Sequence, residues 1–419
     1  MIHNNPFISI TFSKVWETHF TSPKQLKTFN FIKELKFFKH PLLPFYTNVG
    51  RNLTKGVSYS LNQHQTANDY KNKAFLIYDV PQYFDIQTNT PSKHLRVKKI
   101  KQYPGFLINQ KNYIDFNDYL KKTFSKSSVQ KFNRYKRRLE NCFNIKEKMW
   151  IGNIEKAEYD GLFNHFKVLL TKRFEDKQIT NNNLNPEEWA FYKEVAFPMI
   201  LEKKAALHVL YNNETPISIR LLYFSDTIIF DAITVFDIDY SKFHIGKVSI
   251  MKMLEWSFKS DYTIFDFSKG YFDYKESWSD LKYDFEYHVY YDAKSLKSII
   301  TANFISSFFK LKQYLRDKET NKKLHQITFL LKKEKSNTSE IDLAIIDEKT
   351  ISYTENMLIK INGEDVNYAF LKKHAYDFLF LTSEHVDDLK LFKINGINTN
   401  THYLIKGKNN QVVLSSINS

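Results

Sequence analysis

Three apolar runs, AALHVLY, PISIRLLYF and TIIFDAITVF, lie between Ala205 and Phe236 with only NNET and SD between them. Their β-branched and aromatic content and these short polar breaks predict three antiparallel strands joined by tight turns. KVSIMKMLEWSFKS then carries apolar residues at helical spacing, and YTIFDF and YDFEYHVYYD predict two further strands. A crossover helix makes the strands TIIFDAITVF and YTIFDF parallel neighbours. Where an antiparallel meander meets a parallel crossover, strand ends can splay, exposing backbone N–H and C=O groups that an extended, amide-bearing cofactor can use.

Upstream, DFNDYLKKTF predicts a short helix capped by Asp115, and SKSSVQKFNRYKRRLEN a second helix with Phe132, Tyr135 and Leu139 on one face. NIKEKMWIG predicts a strand. Two helices follow, the second opening on Asn185, Pro186 and two acids. A long helix from Ala293 to about Lys318 closes the unit. In the first 112 residues, KAFLIYDV and GFLINQ predict strands, SPKQLKTFNFIKELKFF a helix and HPLLPFYTNVG a loop or edge segment. Beyond Lys323, QITFLLKK, DLAIID, NMLIKING, DFLFLT, LKLFKINGI, HYLIKG and QVVLSS predict short strands of a small α+β appendage. The division expected is 1–112, 113–322 and 323–419.

Composition changes this picture little. Apolar content is 42%, with 37 Phe and 26 Tyr, enough for a sizeable core; the lone Cys142 excludes an internal disulfide. The N-terminus shows no basic segment leading into a long apolar run, and no window reaches about eighteen apolar residues. A cytoplasmic protein without a membrane span is expected. Charge changes the picture more. The net charge is +15, yet from Lys332 onward 11 Lys face 12 Asp or Glu, and within Lys121–Trp150 ten basic residues face two acids. That concentration suits a phosphate-bearing cofactor, tRNA or other nucleic acid, or a peripheral membrane contact; a solvated lysine-rich surface is the plainer explanation.

No Cys/His/Asp/Glu spacing suggests a metal site, and no serine elbow, P-loop or dinucleotide fingerprint occurs. The unusual stretch is FDFSKGYFDYKESW, a strand running straight into Lys269-Gly270 and a cluster of rings. Gly270 lets the chain turn, Lys269 and Lys275 supply charge, and the rings wall a groove. Asp231 and Asp237, on or after a strand, are candidate bases; Asp239, His208 and His244 are weaker ones, each with an ordinary capping or core role beside it. Asp266 alternates with phenylalanines, and either orients Lys269 or Arg220 or faces solvent.

The strand order resembles the GNAT acyltransferase fold, and three motifs resemble its FemAB/CelD-like branch. They are YIDFNDYLKKTFSKSSVQKFNRYKRRLE, the meander continuing through DIDYSKFHIGKVSIMKMLEWSF, and the Asp-Phe-x-x-Gly stretch followed by Tyr274-Lys275. The resemblance implies an α/β (α+β) fold: a GNAT-like mixed sheet flanked by helices, in tandem with a degenerate N-terminal half. It implies an acyltransferase using acyl-CoA, without a metal, on an amine or hydroxyl of an anionic or amino-sugar glycan precursor of the cell envelope, and no DNA. The alternatives are an aminoacyl-tRNA-dependent FemAB-like transferase and a non-catalytic relative binding an anionic glycan. Catalysis falls to Asp231, Asp237, Tyr274 and Lys275. The cofactor falls to Val235, Lys242, Ile245, Gly246, Lys247 and Ser249, and the acceptor to Arg134, Arg138, Arg173, Asp266, Lys269, Gly270 and Trp278. One departure stands: the pyrophosphate loop, DYSKFHIGKVS, has a single glycine, where the family usually has two small residues in an Arg/Gln-x-x-Gly-x-Gly/Ala pattern.

Overall fold

The computed structural model of the chain describes residues 2–21, 25–63, 68–90, 92–318, 343–363, 365–396 and 401–416. Its elements run α1 (Ile10–Phe20), β1 (Lys27–Phe29), β2 (Ile32–Lys39), β3 (Tyr46–Asn48), β4 (Ser60–Leu61), β5 (Ala74–Pro81), β6 (Leu95–Asn109), α2 (Phe116–Thr123), α3 (Lys126–Cys142) and β7 (Ile145–Trp150). Then come α4 (Lys156–Asp176), α5 (Pro186–Leu201), β8 (Ala205–Asn212), β9 (Thr215–Phe224), β10 (Ile228–Phe236), α6 (Ile245–Ser257), β11 (Ile264–Lys269), α7 (Asp273–Trp278), β12 (Leu281–Asp292) and α8 (Leu296–Asp317). The C-terminal unit holds β13 (Leu343–Ile346), β14 (Leu358–Ile361), α9 (Leu371–Thr382), β15 (Lys390–Ile394), β16 (His402–Lys406) and β17 (Gln411–Ser416).

Among the described residues the large mixed sheet has the order β1-β2-β3-β5-β12-β6-β11-β10-β9-β8-β7, with β4 pairing β2. A separate antiparallel sheet, β13-β17-β16-β15-β14, forms the C-terminal unit. The large sheet is built symmetrically about its central β12–β6 pair. On each side lies one parallel pair, β3–β5 on one and β10–β11 on the other. The sheet runs unbroken across residue 112, because β12 from late in the chain pairs β5 and β6, both of which precede residue 112.

Strand alternation feeds two cores on opposite faces. Leu207, Ile219, Leu221 and Val235 pack with α1, α4 and α5 around Phe12, Trp16, Phe163 and Val195. Ala206, Leu222, Ile229 and Phe265 pack with α2, α3 and α6 around Tyr119, Phe132, Leu254 and Trp278. Asp115 and Ser125 cap α2 and α3 through their side-chain oxygens, as Asp and Ser at such positions do.

Three expectations are corrected. The segment read as a helix before Phe38 forms β1 and β2: Phe29, Phe31 and Phe37 converge on Phe75 at ring separations of 5.5 Å or less, and this packing overrides local helix propensity. DFLFLT is the second half of α9, whose Leu371, Ala375, Phe378 and Leu379 are buried at helical spacing. DIDYSKFHIG is not a plain loop but a 3-10 turn, Ile238–Phe243, leading into α6. QITFLLKK lies outside the described residues.

Phe75 is fully buried against four aromatic rings, so Phe75→Ala should lower unfolding free energy by about 3–5 kcal/mol in urea titration.

Candidate active site: the opening between β10 and β11

The parallel pair is short. Ile228, Ile229 and Phe230 pair with Ile264, Phe265 and Asp266, and there the ladder ends. β10 continues to Phe236, still paired on its other edge to β9; β11 continues to Lys269, paired on its other edge to β6. Two irregularities drive the strands apart. A bulge falls between Asp231 and Ile233, so Phe230 and Ile233, three apart, both enter the α4/α5 core. On β11 the register shifts between Asp266 and Lys269, where Ser268 takes φ +63° and Gly270 φ +124°. Ser268 Oγ donates to the Asp231 carbonyl at 3.2 Å and marks the apex of the wedge. Beyond it the facing backbone edges of β10 and β11 make no ladder to one another.

A buried ion pair fixes one wall. Arg220, 1% exposed, donates from its guanidinium to Asp231 Oδ2 at 2.6 Å, Thr234 Oγ1 at 3.1 Å and Ser249 Oγ at 3.1 Å. Thr234 Oγ1 in turn donates to Asp231 Oδ1 at 2.7 Å. Asp231 is therefore engaged through both oxygens inside the bulge, not left free as a base. Ser249 is fully buried between Ser218 and Arg220, so it braces the arginine and does not reach a phosphate. Asp237 caps the 3-10 turn and, with Asp239, binds Lys172 at 2.7 and 2.6 Å; it too is engaged elsewhere. His208 is buried, contacts Glu147 at 2.8 Å, and lies opposite Arg220 in the β8–β9 ladder.

The other wall is the FDFSKGYFDYKESW stretch. Asp266 is completely buried. It accepts from Tyr283 at 2.7 Å, Tyr83 at 2.9 Å and the Ser268 amide at 2.7 Å. Burial pushes its carboxyl up to about 6 against these hydrogen bonds. It orients the strand end, not Lys269 or Arg220. Lys275 is buried and donates to the carbonyls of Ser268 and Lys269; burial brings its amine down to about 8. Lys269 pairs with Asp79 at 2.6 Å. The Tyr274 hydroxyl makes no hydrogen bond to a described residue and lies in the field of Asp231, Arg220 and Arg173; burial pushes it up. The Arg173 guanidinium stacks on Phe236 at 4.1 Å. Trp278 is a packing anchor: it is 2% exposed and stacks on Phe132 at 5.2 Å.

The start of α6 forms a second basic cluster. The His244 ring lies tilted against Tyr135 at 3.9 Å, with Arg134 and Lys247 also over Tyr135. The first amides of any helix lack intrahelical partners and favour an anion. Lys242 and Lys247 are exposed there, while Ile245 and Val235 are fully buried. Gly246 is a packing glycine: a Cβ would come within 2.7 Å of the Phe236 ring. Arg138 bonds the Phe380 carbonyl and so ties α3 to the C-terminal unit, not to an acceptor.

Residues not singled out in the sequence come from the first hundred. Lys55, 9% exposed, makes no hydrogen bond to a described residue; burial first, then Lys269 and Lys275, bring its amine down to about 7. Asp79 is fully buried with Oδ1 unpartnered among the described residues, its Oδ2 taking Thr54 and Lys269. Gly56, at φ +157°, brings this loop against Phe230 of β10; a Cβ would meet its ring at 3.3 Å. The glycines flanking Arg51–Lys55 were the available signal. Among the described residues no His/Cys/Asp/Glu group could hold a metal ion.

Removing Arg220 alone strands a buried carboxylate. Arg220→Met should cost about 3–5 kcal/mol in urea titration, and the Arg220→Met/Asp231→Leu pair should recover most of that loss. The Asp266 carboxyl titrates higher folded than unfolded, so the folded state holds its proton more tightly. Its contribution is fully present below pH 3.8 and is lost as pH rises through about 6. Stability measured from pH 4 to 6 should fall more steeply in the parent than in Asp266→Asn, by on the order of 2–3 kcal/mol over the range.

Several solved structures align with parts of this chain. A conserved protein of unknown function from Bacteroides thetaiotaomicron aligns at 9% identity and TM-score 0.42, over 69% of this chain and 92% of that one. FemX aligns at 12% and 0.45, over 64% and 86%. A tandem GNAT protein from the clavulanic acid biosynthesis pathway aligns at 6% and 0.31, over 61% and 77%. No curated protein matches the chain. Residues 127–276, from the start of α3 through the wedge to α7, match the acetyltransferase (GNAT) domain family.

Proposed function

We propose that the protein is an acyltransferase in which an acyl-CoA thioester lies in the opening between β10 and β11. The carrying observation is the ladder that stops at Phe230 and Asp266 while both strands continue. The freed edges offer N–H and C=O groups to a pantetheine arm, and the basic start of α6, with Arg134, Lys242 and Lys247, suits its phosphates. Gly246 and Ser249 serve packing in this reading, so phosphate binding rests on helix amides and exposed cations.

The acceptor side is electropositive. Lys55, Lys269, Lys275, Arg173 and Arg220 meet Asp79, Asp231 and Asp266. An anionic acceptor with a free amine or hydroxyl, such as an envelope or polysaccharide precursor, suits this field. Lys55, brought down to about 7, exchanges a proton near neutrality and takes the nucleophile's proton as it attacks the acyl carbon. The C–S bond breaks and the sulfur leaves as thiolate. Tyr274, kept protonated by burial, donates it a hydrogen bond. Positioning supplies most of the acceleration.

A second reading, with aminoacyl-tRNA as donor, is favoured by the exposed basic row Lys131, Arg134 and Arg137 on α3. Thermal-shift titrations separate the two. Acetyl-CoA, CoA and longer acyl-CoAs should raise Tm increasingly with concentration, and Arg134→Glu/Lys247→Glu, which alters exposed side chains, should abolish the rise. No rise with any CoA ester, together with salt-sensitive tRNA binding, would move the assignment to the second reading.

A further inference from the structure

Helix α8 shows apolar residues on both of its long faces. Ala302, Ile305 and Phe309 pack inward on the sheet with Tyr287 and Val289 of β12. The outer face carries Leu296, Ile300, Phe304, Phe308, Leu311 and Leu315, each between 45% and 71% exposed. Their spacing of three and four sets them along one stripe, on a helix roughly 33 Å long at about 1.5 Å per residue. Single exposed apolar residues are common on proteins, but a continuous stripe of this length is a contact surface.

Charge selects the occupant. α8 carries the exposed Lys297, Lys310 and Lys312 against one acid, Asp317, and Asp317 is already bonded by Gln313 and Tyr271. A second copy docked through the same stripe would set these lysines against each other. A layer of acidic headgroups over hydrocarbon matches both the lysines and the stripe. The C-terminal end of α8 also lies beside the candidate active site: the Tyr271 hydroxyl donates to Asp317 at 3.3 Å. Arg316 stacks on Tyr103 at 3.4 Å, Tyr103 contacts Tyr271 at 5.9 Å, and Tyr271 and Phe272 stand about half exposed beside Gly270 and Lys275.

We propose that the outer face of α8 docks in-plane on an anionic lipid bilayer, with Tyr271 and Phe272 at the same level. No helix among the described residues is long and apolar enough to cross a membrane, so the contact is peripheral. The consequence that the acceptor is presented at the membrane surface rests on the acyl-transfer reading; the docking itself does not.

Co-sedimentation of the full chain with vesicles tests it. Binding is expected to phosphatidylglycerol–phosphatidylcholine vesicles, to weaken with salt, and to drop with phosphatidylcholine alone. Phe304→Glu/Phe308→Glu should lose about tenfold or more in vesicle affinity with an unchanged Tm and an unchanged thermal shift by acyl-CoA. Parent protein that ignores both vesicle types, or a double variant that binds as well as the parent, overturns the proposal. A parent dimer that the double variant converts to monomer, without vesicle binding, would give the face to a second copy. Loss of the CoA response with vesicle binding intact would count against acyl transfer alone.

Discussion

Everything at the candidate site depends on one interrupted ladder. Two parallel strands pair for three residues and then separate, because each carries an irregularity on its far edge: a bulge at Asp231–Ile233 and the left-handed Ser268. A sheet ordinarily satisfies its backbone groups in the ladder. Here the edges of β10 and β11 beyond Phe230 and Asp266 form no ladder with one another. The irregularities are held from behind by side chains with few alternatives. Arg220 crosses from β9 to lock Asp231 and Thr234, and Tyr83 and Tyr283 lock Asp266. Each is a buried polar group whose partner cannot leave without an uncompensated charge or carboxyl.

The same constraint explains why both halves of the chain are needed. β12 leaves the later half to pair β5, and the loop around Gly56 reaches β10. Asp79 and Tyr83 thereby bond Lys269 and Asp266 on the β11 side of the opening, and Lys55 lies in the field of Lys269 and Lys275. The C-terminal unit packs Tyr376, Phe378 and Leu379 of α9 against Tyr240, Phe243 and Ile245, just where the 3-10 turn enters α6. It is joined there by Arg138 and by the Cys142 thiol on the Leu379 carbonyl.

Much of the later half was legible in the sequence, because its strands are long β-branched runs and its helices carry clear caps. The crossover between TIIFDAITVF and YTIFDF gave the parallel pair and the position of the opening. Three kinds of feature were not legible. Aromatic clustering turned a Lys- and Phe-rich segment into β1 and β2, since Phe29, Phe31 and Phe37 gain more from Phe75 than local propensity costs. The roles of Asp231, Asp237 and Ser249 depend on partners distant in sequence, Arg220, Lys172 and Ser218, which spacing does not reveal. The contribution of Lys55 and Asp79 needed the strand exchange at β12, a long-range event with no local signature.

The open edge of β10 is the central claim, and backbone hydrogen exchange reads it residue by residue. In the free protein, amides of β10 from Ala232 to Phe236 that face β11 should exchange faster than those of Ile229 and Phe230, and acetyl-CoA should slow them. Amides already as protected as the paired segment, or protection untouched by any acyl-CoA, would contradict the account.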